Sequence, residues 1–182
     1  GGTLLLVLEG MPVFDAVNHT LTALSTGGYS PYDASISQYA LTGHPNYRLI
    51  EYTLTFIMLL GGINFLVHYR VLTCDFKSLW DGLEIRWWWW LLAGFTGIIL
   101  LDHLYETGFV GQAFGEGPTD WGALERGFRH TVFQVVSILT TTGFGTRDIG
   151  VFPVLSRQLF LVMMVIGGCV GSTAGGCKVM RV

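Results

Sequence analysis

The sequence predicts an all-α membrane protein of helix–pore-loop–helix repeats, with re-entrant short helices and one broken helix. Three observations predict it. The chain of 182 residues is 51% hydrophobic and only 13% charged, where a soluble domain carries about 25% charged residues. A polar, glycine-bearing turn after a short apolar helix occurs twice. The last apolar stretch is interrupted by closely spaced glycines.

The repeat is read by setting Gly28 on Gly143, an offset of 115 residues. Val17 then falls on Val132, Thr22 on Ser137, Leu24 on Leu139 and Ser25 on Thr140. Thr26 falls on Thr141, Tyr29 on Phe144 and Asp33 on Asp148. Self-similarity at a fixed spacing marks a repeated structural unit. One short helix with a turn reads as an ordinary surface feature. Two copies, each followed by a long apolar stretch, read as re-entrant pore loops.

Taken in order, Thr3 to Leu8 is the tail of a helix, broken by Gly10-Met11-Pro12. Asp15 to Leu24 is a helix well short of the roughly 20 residues that cross a bilayer. Pro31 to Arg48 is polar and turn-rich and lies outside the membrane. Leu49 to Val71 is the first full spanning candidate. Gly61 and Gly62 within it admit a close neighbouring helix, and Asn64, polar at depth, is expected to bond another helix. Thr73 to Arg86 reads as an amphipathic connector. Trp87 to Trp90 form an interfacial belt at the head of a second spanning helix, which runs to about Tyr105. Asp102, His103 and Glu106 sit at its far interface, before the polar segment 108–120.

Trp121 to Leu139 holds the second short helix and leads into Thr140-Thr141-Thr142-Gly143-Phe144. From Phe152 the chain is apolar to Ile166. Gly167, Gly168, Gly171, Gly175 and Gly176 follow, too many for a straight helix. Lipid forbids exposed irregular backbone, so this break is buried in protein or lines a wet cavity. Gly171 to Lys178 superficially resembles a phosphate-binding loop. Cys177 separates Gly176 from Lys178, however, and Val179 stands where Ser or Thr is required.

The remaining signals are mostly negative. Cys74, Cys169 and Cys177 form no CxxC pair and read as small apolar residues. His19 and His130 precede the two turns without aligning and read as packing or hydrogen-bonding groups. No nucleophile–base pair is visible, so no enzyme is expected, and a net charge of −3 makes no case for nucleic acid. The basic residues split evenly between the two sides, while most acids fall on the side of the turns. A negative mouth concentrates cations, which places that side outside. The chain opens and closes within apolar, patterned sequence, so a longer parent protein is expected.

A dehydrated monovalent cation needs several oxygen ligands, and backbone carbonyls aimed at one axis supply them. Glycine permits the backbone angles required, and Thr hydroxyls add ligands or pin the turn. Carboxylates within the turns would suit divalent cations better, and neither turn contains one. One such loop cannot surround an ion, so four loops from repeats or chains are needed.

Four motifs carry a family resemblance: Ser25-Thr26-Gly27-Gly28-Tyr29-Ser30, Gly61-Gly62-Ile63-Asn64-Phe65, Thr140-Thr141-Thr142-Gly143-Phe144, and Gly168-Cys169-Val170-Gly171-Ser172-Thr173-Ala174-Gly175-Gly176. In this order they resemble the TrkH/KtrB/HKT superfamily of potassium transporters, and within it the bacterial TrkH branch. The resemblance implies a potassium-channel-like fold of four repeats in a multi-pass protein of the bacterial inner membrane. Residues 1–72 would hold the end of one repeat's first helix, its pore loop and its second helix. Residues 73–86 would be a cytoplasmic connector, and 87–182 the complete next repeat. Gly28 and Gly143 are then filter glycines, and the carbonyls of Thr26, Gly27, Thr141 and Thr142 face potassium. Ser25, Tyr29, Thr140 and Phe144 flank the filter. Gly167, Gly168, Gly171, Ser172, Thr173, Ala174, Gly175 and Gly176 form the intramembrane gating loop. Potassium is the transported ion, with no bound cofactor. Membrane lipid, the absent first and fourth repeats, a second copy in a homodimer and a cytosolic nucleotide-binding subunit of the TrkA type are the implied partners. Two alternatives stand beside this reading. One is a secondary transporter binding substrate at the broken helix. The other is a non-conducting assembly subunit whose glycines serve packing.

Overall fold

The computed structural model describes residues 1–106 and 121–179, so the expected polar segment 108–120 lies outside the described residues. Among the described residues the fold is helical. Its elements are α1 (Gly2–Leu8), α2 (Val13–Leu24), α3 (Ser37–Leu41), α4 (Tyr47–Gly62), α5 (Phe65–Leu72), α6 (Leu83–Glu106), α7 (Trp121–Leu139) and α8 (Val154–Val165). Short 3-10 turns at Phe76–Leu79 and Ile149–Val151 precede α6 and α8.

The two pore-loop helices, α2 and α7, are held differently. On α2 the buried residues Asp15, Ala16, His19 and Ala23 make one helical stripe against α4. On α7, by contrast, Phe133 to Thr140 are buried on every side, enclosed by α4, α6 and α8. Polar Gln134, Ser137 and Thr140 are buried within that stretch. A helix whose C-terminal half is buried all round positions the following turn more firmly than one packed on a single face.

The spanning expectations need correction. Leu49 to Val71 is not one helix: α4 ends at Gly62, and α5 departs at 107°. The ladder breaks because a distant segment takes its carbonyls, Gly62 accepting from the Cys169 N–H at 3.1 Å and Gly61 from Thr173 at 3.2 Å. Among the described residues the Asn64 side chain makes no interhelical hydrogen bond. Its side chain caps α5, accepting from the Leu66 N–H at 2.8 Å. The second span begins earlier than expected, with α6 absorbing Leu83 to Arg86 from the connector. Among the described residues no single helix is both long and apolar enough to cross a membrane, although α4 and α5 together meet that test.

The tryptophan belt also divides. Trp88 is fully buried against the foot of α4, whereas Trp87 and Trp90 are exposed. Helical rotation of 100° per residue forbids four consecutive side chains from sharing one face. The close approach expected at Gly61 and Gly62 is present. A Cβ on Gly61 would lie 2.9 Å from the Leu24 carbonyl oxygen, and one on Gly62 would lie 2.8 Å from the Thr140 methyl. Both glycines therefore let the ends of the pore-loop helices rest on α4.

Candidate ion pathway

The two turns repeat each other bond for bond at the 115-residue offset. The Gly27 N–H donates to the Thr22 carbonyl at 2.8 Å, as Thr142 does to Ser137 at 2.8 Å. The Gly28 N–H reaches the same Thr22 carbonyl at 3.2 Å, and Gly143 reaches Ser137 at 3.2 Å. The Thr22 hydroxyl then ties back the Tyr29 carbonyl at 2.9 Å, and the Ser137 hydroxyl ties back Phe144 at 2.7 Å. Thr22 and Ser137 differ by one methyl yet perform the same fastening.

Backbone angles repeat as well. Thr26 and Gly28 have φ of 53° and 65°, and Thr141 and Gly143 have 57° and 88°, while Gly27 and Thr142 between them stay in the ordinary region. Alternating handedness turns successive peptides toward a common side, the arrangement that a carbonyl-lined cation path requires. A β-branched residue at positive φ is strained by about 1–3 kcal/mol and persists only where its surroundings over-determine it. Both threonines meet this condition. Thr26 Oγ1 donates to the Ser25 and Thr173 carbonyls, and Thr141 Oγ1 accepts from the Gly175 N–H.

The turns also meet in space. A Cβ on Gly28 would fall 1.9 Å from the Thr142 carbonyl oxygen, so the filter-like residues of the two copies are immediate neighbours. Phe144 is fully buried against His19, ring centroids 5.7 Å apart, while its repeat partner Tyr29 is 78% exposed. The histidines do serve as hydrogen-bonding supports. His19 bridges the Asp15 carbonyl at 2.8 Å and the Ser30 hydroxyl at 3.1 Å, and His130 contacts the Thr146 hydroxyl at 3.0 Å. Behind the first turn, the Tyr32 and Tyr39 hydroxyls both donate to the Asp15 carboxylate, at 2.7 and 2.9 Å. Burial first, then that carboxylate, pushes the Tyr39 phenol up, and the Asp15 bond does the same for Tyr32.

The glycine-rich segment 166–178 folds back as a hairpin-like loop. The Gly167 N–H donates to Cys177 at 2.8 Å, and the Cys177 N–H donates to Val165 at 3.0 Å. Its tip sits on the α4–α5 break, where the Thr173 hydroxyl donates to the Leu24 and Gly61 carbonyls at 2.8 and 2.9 Å. The Phe65 N–H donates to Gly171 at 3.1 Å. Each break thereby satisfies the other's freed backbone groups. The loop reaches the two turns directly, Thr26 Oγ1 donating to the Thr173 carbonyl at 2.9 Å and Gly175 donating to Thr141 Oγ1 at 2.6 Å. Glu84, at the head of α6, accepts from the Val170 N–H and holds the loop from the connector side.

Gly167 is the tightest point of the loop, since a Cβ there would lie 1.8 Å from the Gly175 carbonyl oxygen. Gly167→Ala is expected to displace the Gly175 limb and destabilise the full-length parent by about 1–3 kcal/mol, read as a lower melting temperature in detergent. An unchanged melting temperature would contradict this packing.

A charged cluster that the sequence reading did not assemble lies between α4 and α7. Arg129 and Glu51 are 2% and 1% exposed and form an ion pair. Arg129 Nε also bonds Glu125 at 2.9 Å, and its guanidinium lies 5.2 Å from the Tyr47 ring centroid. The available signal was the charge itself, carried by two otherwise apolar helices. Among the described residues no group of three His, Cys, Asp or Glu side chains could hold a metal ion.

The family model of TrkH, a cation transport protein, matches residues 6–182. The chain belongs to the TrkH family. It is 31% identical over 186 residues to the Trk system potassium uptake protein TrkH of Salmonella typhimurium, covering 98% of this chain and 34% of that one. It is 35% identical over 178 residues to the TrkH protein of Halomonas elongata, covering 95% and 32%. Its fold matches the crystal structure of the potassium transporter TrkH from Vibrio parahaemolyticus with a TM-score of 0.80 and 27% identity, over 98% of this chain and 35% of that one. The chain thus spans about a third of the length of the TrkH relatives it matches. TrkH proteins are membrane transporters and not enzymes, and the helical fold described above is theirs.

Proposed function

We propose that this chain supplies two of the pore loops of a potassium uptake pore in the bacterial inner membrane. Residues 1–72 are the latter part of one repeat, 73–86 a cytoplasmic connector whose last residues, from Leu83, already begin α6, and 87–182 the rest of the next repeat. The carbonyls of Thr26, Gly27, Thr141 and Thr142, with Gly28 and Gly143, line the selective path. Ser25, Tyr29, Thr140 and Phe144 support it, and the loop from Gly167 to Gly176 gates it from below. The remaining repeats of the parent chain complete the ring. A second copy and a cytosolic nucleotide-binding subunit assemble with it.

One observation carries this reading: two turns 115 residues apart share their hydrogen bonds and their alternating backbone handedness. A helix–loop of general purpose has no reason to repeat strained threonines in register. The relatives are named as potassium uptake proteins, which supports potassium as the ion.

The test is potassium and rubidium uptake by transporter-deficient cells expressing the full-length parent or its Gly143→Ser variant. A side chain at φ of 88° is strained, so the variant is expected to lose its preference for potassium over sodium by about tenfold or more. Normal expression with unchanged preference would sink the filter assignment and favour a substrate site at the broken helix.

A further inference from the structure

We propose that Asp15 is a positioning residue for ion selection: its buried carboxylate gathers the Tyr32 and Tyr39 hydroxyls and so fixes the limb that leaves the first turn. The inference rests on the pore reading above and names the group that holds one filter turn in shape from behind.

The need for such a clasp follows from burial. Beyond the second turn Phe144 and Thr146 are buried, so packing holds that limb. Beyond the first turn Tyr29, Pro31 and Tyr32 are exposed among the described residues, and hydrogen bonds must hold the limb instead. The Thr22 hydroxyl donates to the Tyr29 carbonyl, and the Ser30 hydroxyl meets His19 and accepts from the Tyr32 N–H at 3.2 Å. The Tyr32 hydroxyl then donates to Asp15 Oδ2 at 2.7 Å. The same oxygen accepts from the Tyr39 hydroxyl at 2.9 Å, and Tyr39 lies in the buried core with Ile36, Ile50 and Leu54. One carboxylate oxygen thus ties an exposed limb to the core.

The repeat supports this role. At the 115-residue offset Asp15 falls on His130, which contacts the Thr146 hydroxyl on the corresponding limb. The same helix position therefore reaches the limb in both copies, by different chemistry. The neighbouring clasp has no such counterpart, since Gln134 and Gly145 stand where His19 and Ser30 do. A hydroxyl donating to a carboxylate makes a short, charge-assisted bond, and a satisfied buried network fixes one arrangement of the groups around it. Potassium and sodium differ in size and not in charge, so carbonyls tell them apart only as far as the turn is held.

Rubidium uptake kinetics and their inhibition by sodium test this, in transporter-deficient cells expressing the full-length parent at matched membrane levels. Tyr32→Phe removes one hydroxyl and keeps both the ring and the Asp15 charge. Asp15→Ala removes the acceptor, and Asp15→Asn keeps an acceptor without the charge. Tyr32→Phe and Asp15→Ala are expected to raise the rubidium KM and weaken the preference over sodium about fivefold or more. Asp15→Asn is expected to stay within about twofold of the parent. A fall in maximal rate alone, with KM and sodium inhibition unchanged, would show a folding role only and overturn the proposal. Tyr32→Phe behaving as the parent would overturn it too. Should Asp15→Ala fail to reach the membrane, the Tyr32→Phe and Asp15→Asn pair decides the question alone. Gly143→Ser measured in parallel isolates the premise. If it loses selectivity while Tyr32→Phe keeps it, the clasp is wrong and the filter stands. If it keeps selectivity while Tyr32→Phe loses it, the filter assignment of the second turn is wrong and the clasp on the first stands.

Discussion

Gly28→Ala in the full-length parent is expected to abolish potassium-selective uptake, and Gly143→Ala, at the equivalent place in the repeat, to impair it. Both lie at positive φ, 65° and 88°, so any side chain adds about 1–2 kcal/mol of backbone strain. The Cβ of an alanine at position 28 would also fall 1.9 Å from the Thr142 carbonyl oxygen. Backbone cannot rotate aside as a flexible side chain can, so Gly28→Ala must move the Thr142 peptide in the neighbouring turn. One substitution then disturbs both of the turns seen here. Rubidium uptake and its sodium inhibition, compared with the parent at equal membrane expression, read the loss. A Gly28→Ala variant that keeps the parent's uptake and selectivity would refute the proximity of the turns.

Arg129→Met should be the most destabilising of the substitutions considered. It would leave the Glu51 carboxylate, 1% exposed, without its cationic partner inside the helix bundle. Removing one member of a buried pair costs about 3–5 kcal/mol, whereas replacing both by apolar groups of similar size is near neutral or favourable. The double variant Arg129→Met/Glu51→Leu is accordingly expected to recover most of the melting temperature lost by the single one. Thermal unfolding of detergent-purified parent and variants checks this. A single variant that melts like the parent would show that the pair does not hold α7 to α4.

The turns were legible in the sequence because their geometry is local. Thr22 and Ser137 each sit where a hydroxyl can tie back a carbonyl seven residues on, and Gly28 and Gly143 stand where φ is positive. Such constraints act over a few bonds, so an offset between letters becomes an offset between hydrogen bonds. The break after Val165 was legible for the same reason, since the closely spaced glycines from Gly167 to Gly176 leave little helix propensity.

The bend of α4 was not legible in that way. Leu49 to Val71 is apolar enough to read as one span, and Gly61-Gly62 by itself only permits close packing. The bend follows from Cys169 and Thr173 donating to the Gly62 and Gly61 carbonyls from more than 100 residues away. Helical periodicity marks a buried face but does not name its neighbour, so Trp88 and Trp87 read alike until α4 covers one of them. Likewise Glu51 and Arg129 are two charges in apolar helices until α4 and α7 bring them together.

The sequence by itself determined where the two turns fall, their spacing and the glycine-rich break after Val165, because backbone angles and short hydrogen bonds depend on neighbouring residues. Only the tertiary structure decided which broken helix accepts the glycine loop, which charges pair, and that the loop fastens to Thr26 and Thr141. Those choices belong to groups far apart in the chain, whose unsatisfied carbonyls, amides and charges find partners only when the helices pack.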